Sequence, residues 1–222
     1  FNKPFSDTNC GQYLLDLGTI MKLMPPAPAK VLDLGIGSGW TSCFFALNGY
    51  TVVGQDIAPE MIKLAEDNRS RYLVQSRLDL IVSDYESLPA NEDFDVAIFY
   101  DCLHHCEDEL QALKAVCKAL KPGGLLITAE PGLGHSKSPG SVEAMLKYGV
   151  NERDMPPRLI IETGILAGFS AYRVFKRSFA PDSPYDTMQL LRLLLGTIKN
   201  RFLTMNIHPS FLNDSNFVVL VK

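Results

Sequence analysis

The sequence predicts an α/β fold: a doubly wound, mostly parallel sheet with helices on both faces. Three observations predict it. Val31–Trp40 reads VLDLGIGSGW, an apolar run followed by three alternating glycines. Asp56 closes the next apolar run, 21 positions after Gly35. Beyond it, short apolar runs keep alternating with segments of helical periodicity. Such alternation implies parallel strands joined by right-handed crossovers, and 222 residues suit a single domain spanning 1–222.

The elements follow in order. Gln12–Met24 has Leu14, Leu17, Met21 and Met24 at helical spacing, widened by Leu15, Ile20 and Leu23. Pro25, Pro26 and Pro28 end that helix. Residues 1–28 therefore read as a helix packed on the sheet edge, or as a helical lid with Phe5 and Tyr13 over the glycine loop. Val31, Leu32 and Leu34 form a first strand buried on both faces, and a carboxylate at Asp33 is costly there unless it is paired. Gly35, Gly37 and Gly39 permit positive φ and close approach to the backbone. Ser38 is placed to cap a helix over Trp40–Leu47. Strand, glycine turn and helix together open a nucleotide-binding βαβ unit. The pattern is D-x-G-x-G-x-G rather than the dinucleotide G-x-G-x-x-G.

Thr51–Asp56 is the second strand. Asp56 is placed to hold ribose hydroxyls, or to cap the helix over Ala58–Asn68, where Pro59 suits the first turn. Leu78–Ser83 is the third strand. Asp84 after it could accept from an adenine amino group, with the next backbone N–H meeting a ring nitrogen, or could sit in a solvated turn. Phe94–Tyr100 is the fourth strand, followed by Asp101-Cys-Leu-His-His105. A helix over Glu107–Leu120 stops at Lys121-Pro-Gly-Gly124, which turns into a fifth strand, Leu125–Glu130. Asp56, Asp84, Asp101, His104 and Glu130 all fall just beyond strands, where ligands sit in such sheets.

Composition narrows the function. With 46% hydrophobic and 21% charged residues, the chain is no disordered segment. A net charge of −4 argues against a general nucleic-acid grip. Five scattered cysteines suit reduced thiols and a cytoplasmic location. Cys102, His104, His105 and Cys106 invite zinc, but no second C-x-x-C or H-x-x-x-H pair completes four ligands, so no metal is expected. No apolar run is long enough to span a bilayer.

Taken together, VLDLGIGSG (31–39), VVGQDIAPEMI (52–62), SDYESLP (83–89), FDVAIFYDCLHH (94–105) and LKPGGLLITAEP (120–131) resemble the class I S-adenosylmethionine-dependent methyltransferases. The resemblance covers Val31 to Pro131. It implies a seven-stranded sheet of order 3-2-1-4-5-7-6, whose last strand is antiparallel, with S-adenosyl-L-methionine over strands one and two. It implies Gly35 and Gly37 at the methionyl end, Gly39 among the cofactor-binding residues, and Asp33 ordering the amino group through the loop. It places Asp56 at the ribose and Asp84 and Tyr85 at adenine, with Ile57 also cofactor-binding. Tyr100 would offer its carbonyl to the amino group.

In the last third, Ser138–Tyr148 and Pro157–Ala167 read as helices, and Ser170–Ala180 and Asn216–Val221 as strands six and seven. Residues 181–209 read as a helical insertion, with Leu191, Leu194, Leu195, Ile198 and Phe202 in one stripe. Core or dimer packing, a substrate cap and membrane-surface contact are its three readings, in that order; a homodimer stays open.

Methyl transfer from a sulfonium is an in-line displacement that depends on positioning. A hydroxyl acceptor also gains from a base that titrates near neutrality, which suits histidine. His104 is the first candidate, by its place in the strand-four loop of related folds. Glu130 and His135, in Glu130-Pro-Gly-Leu-Gly-His135, are second candidates as base or acceptor ligand. His105 reads as structural, and His208 receives no role. The expectation is O-methylation of a small-molecule or sugar-like acceptor. The rivals are N- or C-methylation on the same fold, an NAD-dependent dehydrogenase, and a non-catalytic cofactor-binding subunit.

Overall fold

The computed structural model describes residues 2–88, 93–177 and 212–222. The insertion expected over 181–209, and its helical stripe, lie outside the described residues. The strands are β1 (Lys30–Leu34), β2 (Thr51–Asp56), β3 (Leu78–Val82), β4 (Phe94–Tyr100), β5 (Leu120–Ala129), β6 (Ala171–Lys176) and β7 (Asn216–Val221). They form one sheet of order β3-β2-β1-β4-β5-β7-β6, the expected order. β7 runs antiparallel to both neighbours, and the other pairings are parallel.

Among the described residues the α-helices are α1 (Cys10–Leu23), α2 (Trp40–Leu47), α3 (Pro59–Arg71), α4 (Glu109–Ala119), α5 (Pro139–Tyr148) and α6 (Pro157–Ala167). The two-residue period of a strand divides the apolar runs between two cores. Leu32, Leu34, Ala97 and Phe99 join Leu113 and Val116 of α4 and Ile160 and Ile161 of α6. Val31, Val96 and Ile98 join Leu17 and Ile20 of α1 and Cys43 and Phe45 of α2. Helices on both faces explain why β1 and β4 read as continuous apolar runs.

Three expectations need correction. Ser38 does not cap α2: its N-cap is Gly39, at φ +71°, with no side-chain cap bond. A Cβ there would meet the Ala65 Cβ at 2.8 Å, so glycine is demanded by both the backbone and its neighbour on α3. In α1, Leu14 and Leu15 are exposed, and the buried face carries Asp16, Leu17 and Ile20. A carboxylate thus replaces leucine on the inner stripe, because Arg177 and Tyr100 meet it there. Finally, β5 begins at Leu120, which pairs with Phe94, and pairing resumes at Leu125 with Val96. Lys121-Pro-Gly-Gly124 is a bulge inside the strand rather than a turn before it.

Candidate functional site

The site lies beyond the carboxyl ends of β1, β2 and β4. Asp33, 1% exposed, accepts hydrogen bonds from Thr41 Oγ1 (2.7 Å) and Ser42 Oγ (2.6 Å) in the first turn of α2. These hydroxyls are the partners its burial required. Burial still outweighs them and lifts the carboxyl to about 6. Gly35, Gly37 and Gly39 all have positive φ. Their surroundings differ. A Cβ on Gly35 would lie 2.7 Å from the Cys102 Cβ and 2.8 Å from the Tyr85 hydroxyl, whereas one on Gly37 meets nothing within 4 Å. Gly35 is therefore needed for internal packing, and Gly37 turns an open face to the crevice.

Two side chains from β2 hold this turn. Gln55 Oε1 accepts from the Gly35 N–H at 3.3 Å, and its amide reaches the Ser83 carbonyl. Asp56 Oδ2 accepts from the Gly37 N–H at 2.8 Å, and Oδ1 accepts from the Ala58 N–H at 2.9 Å. Asp56 thus braces the glycine turn and supports the start of α3 together. A carboxylate has about four lone-pair sites, so these bonds leave capacity for ribose hydroxyls.

Three cavities bordered by the described residues bear on the site. A cavity of about 130 Å³ is lined by Lys3, Tyr13, Asp33, Gly35, Gly37, Tyr100 and Asp101, among others. Ile57, Asp84 and Tyr85 share a second cavity, of about 570 Å³, with Gln55, His105 and Asn151. Ile57 is well exposed there. Asp84 Oδ1 also accepts from the Ser87 N–H at 2.6 Å, as the turn reading expected. The Tyr85 ring packs edge-on to Phe99 at 5.1 Å, and burial pushes its hydroxyl well above the usual range.

The third cavity, about 850 Å³, is lined among the described residues by Gln12, Tyr13, Asp101, His135, Lys176, Arg177 and Ser215, with others. Tyr13 and Asp101 belong to the linings of both this cavity and the one at the glycine turn. Asp101 holds φ +57°, a left-handed conformation uncommon outside glycine. Phe5, expected beside Tyr13, is largely exposed and packs on Phe44 at 6.4 Å. The wall shared with α1 is anchored by Asp16, which accepts from Gln12 Nε2 (2.8 Å), the Tyr100 hydroxyl (2.9 Å) and Arg177 Nη2 (2.6 Å). Burial, then the Asp16 charge, raises the Tyr100 hydroxyl above its ordinary value.

The three candidates for acid–base work fall into one chain of alternating carboxylates and imidazoles. Glu130, 1% exposed, accepts from the Cys102 N–H (3.1 Å), the Leu103 N–H (2.9 Å) and the His104 N–H (3.3 Å). It also meets His104 Nδ1 at 2.7 Å. It therefore holds the 3₁₀ turn Leu103–His105 in place, and it lines none of the three cavities. His104 is buried and lines none of the three cavities. Burial pulls its pKa down, but the hydrogen bond and charge of Glu130, with Asp101 and Glu152, more than offset this and raise it. His104 Nε2 lies 3.6 Å from Glu152 Oε2, and His135 Nε2 lies 2.6 Å from the same oxygen. His135 alone of the three reaches the large cavity. Cys102 donates to the Leu34 carbonyl at 3.0 Å, and all five cysteines are free thiols.

Sequence reasoning missed Asp16, Gln55, Glu152 and Arg177. Asp16 was detectable as a carboxylate on the apolar stripe of α1. Glu152, in a polar segment between α5 and α6, carried no pattern. Among the described residues, no helix is long and apolar enough to cross a membrane.

A family model described as a methyltransferase domain matches residues 32–128. The ubiquinone biosynthesis O-methyltransferase of Xanthomonas axonopodis pv. citri (strain 306) is 36% identical over 105 residues, covering 46% of this chain and 43% of that relative. The chain thus matches less than half the length of that protein. An S-adenosylmethionine-dependent methyltransferase from Mesorhizobium loti superposes with a TM-score of 0.66 at 18% identity, covering 94% of this chain and 98% of its own. Phosphoethanolamine N-methyltransferase 2 of Haemonchus contortus, in complex with S-adenosyl-L-methionine, gives 0.65 at 22%, covering 93% and 52%. The sheet order and the glycine turn agree with that match, so residues 32–128 are similar to a methyltransferase domain in both sequence and fold.

Proposed function

We propose that the protein transfers a methyl group from S-adenosyl-L-methionine to a hydroxyl of a small, polar acceptor. One observation carries the reading: the cavity at the glycine turn and the large cavity share Tyr13 and Asp101 in their linings. Donor and acceptor spaces that share a wall suit an in-line transfer, which needs the nucleophile held close to the methyl carbon.

The residues fit the donor. The open face of Gly37 admits close approach, and Asp56 retains acceptor capacity for a ribose. Ile57, Asp84 and Tyr85 line the cavity that takes the adenine in this reading, and Asp33 and Tyr100 line the one that takes the methionyl end. When bound, the donor supplies an electrophilic methyl on a sulfonium. This chain's residues bind it, orient it and keep water out.

His135 is the base in this reading. Glu152 can only accept, so its 2.6 Å contact fixes the proton on His135 Nε2 and leaves Nδ1 as the lone pair for an acceptor proton. Glu130 and His104 are positioning residues behind Glu152. A polyhydroxylated small molecule suits a lining that carries Gln12, Asp101, Lys176 and Ser215. The Xanthomonas relative, an O-methyltransferase by name, supports oxygen as the acceptor atom.

The test is calorimetry with S-adenosylhomocysteine, followed by methyl transfer to a panel of sugars, phenols and amines read by mass spectrometry. Transfer to hydroxyls is expected. His135→Ala should lower kcat by about 10²–10⁴-fold with S-adenosylhomocysteine affinity unchanged. Transfer to amines alone, preferential NAD binding, or full activity in His135→Ala would each overturn the proposal.

A further inference from the structure

We propose that His104, His105 and Glu152 form a binding site for a borderline divalent cation of the zinc class, at the edge of the cavity lined by Tyr85, His105 and Asn151. One ligand atom from each of these residues lies within 4.8 Å of the others. Zinc takes imidazole nitrogen and carboxylate oxygen at about 2.0–2.2 Å, and open sites use three such ligands with a water in the fourth position. Two imidazoles and one carboxylate match that donor set, and imidazole disfavours the harder calcium and magnesium ions.

The surrounding groups favour a cation in this position. Glu130 meets His104 Nδ1 at 2.7 Å, and a carboxylate behind an imidazole is the arrangement that orients a metal-binding histidine. His105 Nδ1 meets the Asn151 carbonyl at 2.5 Å, a bond it gives up to face the ion. His104 Nε2 faces Glu152 Oε2 at 3.6 Å, a separation that two ligands of one cation can share. His105 Nδ1 stands 4.0 Å from Glu152 Oε1. Closing these gaps to the separations of a metal shell needs movements of about 1 Å, within reach of the partly exposed His105 ring. The same exposure, 40% of the side chain, provides the entry path. His135 holds Glu152 Oε2 from the other side and steadies the carboxylate. The cysteines at 102 and 106 take no part: both are buried, and Cys102 bonds the Leu34 carbonyl.

This site goes beyond the methyl-transfer reading and is tested without donor or acceptor. Chelator-treated protein is titrated with Co²⁺ alone, read by visible absorption, and then with Zn²⁺ in competition. One Co²⁺ per chain is expected, with nitrogen- and oxygen-ligand bands and displacement by Zn²⁺. His105→Ala and Glu152→Gln should each weaken binding by at least about tenfold, and Glu130→Gln by about 10–100-fold. His105 is exposed, so His105→Ala keeps the fold, as far-UV circular dichroism would show. Three results overturn the proposal: no saturable binding, affinity unchanged in His105→Ala and Glu152→Gln, or sulfur-to-cobalt charge-transfer bands placing the ion on a cysteine. None of these results bears on methyl transfer.

Discussion

Replacing Asp16 with alanine should detach α1 from the sheet. Asp16 is 1% exposed and Arg177 8% exposed, and they meet through Nε at 3.0 Å and Nη2 at 2.6 Å. The Tyr100 hydroxyl and Gln12 bind the same carboxylate. Removing it takes a counter-charge from a buried guanidinium and an acceptor from a half-buried phenol. Breaking a buried pair from one side costs about 3–5 kcal/mol, a large fraction of the ~5–15 kcal/mol that holds a typical domain folded. The loss should concentrate in α1, because the pair ties that helix to the end of β6, 161 positions away in the chain. Urea unfolding should show a fall of that size, and hydrogen exchange should quicken in Cys10–Leu23 before the central strands. Asp16→Leu combined with Arg177→Met should recover most of the loss, since well-packed apolar pairs replace buried ion pairs at little cost. A loss under about 1 kcal/mol, or unchanged exchange in α1, would refute the reasoning.

Other perturbations separate packing from ligand contact. Gly35→Ala places a methyl against Cys102 and Tyr85 at a φ of +62°, so both melting temperature and S-adenosylhomocysteine affinity should fall. Gly37→Ala meets only open space at φ +52°, so it should cost about 1–2 kcal/mol from the backbone but weaken S-adenosylhomocysteine more than its stability loss predicts; calorimetry beside thermal unfolding compares the two. Asp33 gives a pH signature. Its carboxyl is raised in the fold from 3.8 to about 6, chiefly by burial, so its contribution is full below pH 4 and lost as pH rises through 6. A rise of that size is worth about 3 kcal/mol. The stability of the wild-type chain relative to Asp33→Asn should therefore fall by that amount between pH 4 and pH 7 in urea titrations, and parallel curves would contradict it.

The fold was largely legible because its signals are local. The apolar runs of β1, β2, β4 and β7, the glycine turn and the acid 21 positions on are short-range patterns, and they fix the sheet's centre. The site was legible only where a residue's neighbours are near in sequence. Asp33 finds its hydroxyls eight and nine positions away, and Asp56 reaches Gly37 19 positions back across an adjacent strand. Glu130 looked like a cavity acid because it ends β5, but its oxygens are taken by backbone N–H groups 26 to 28 positions upstream. His104 looked like the base because it follows β4, yet the 3₁₀ turn buries its ring. In the proposed reaction the role passes to His135 through Glu152, a residue with no local pattern. The Lys121-Pro-Gly-Gly124 bulge was misread because proline and glycine mark strand irregularities as readily as turns.

The most direct measurement of the central claim is the titration of Asp56→Ala with S-adenosylhomocysteine beside the wild-type chain. Asp56 braces the glycine turn and, in the proposed reading, faces the ribose. Wild-type binding should be saturable at one site. The variant should bind at least about tenfold more weakly, the loss expected for one charge-assisted hydrogen bond of about 1.5–3 kcal/mol. A wild-type chain that takes up no S-adenosylhomocysteine, or a variant that binds it equally well, would contradict the account.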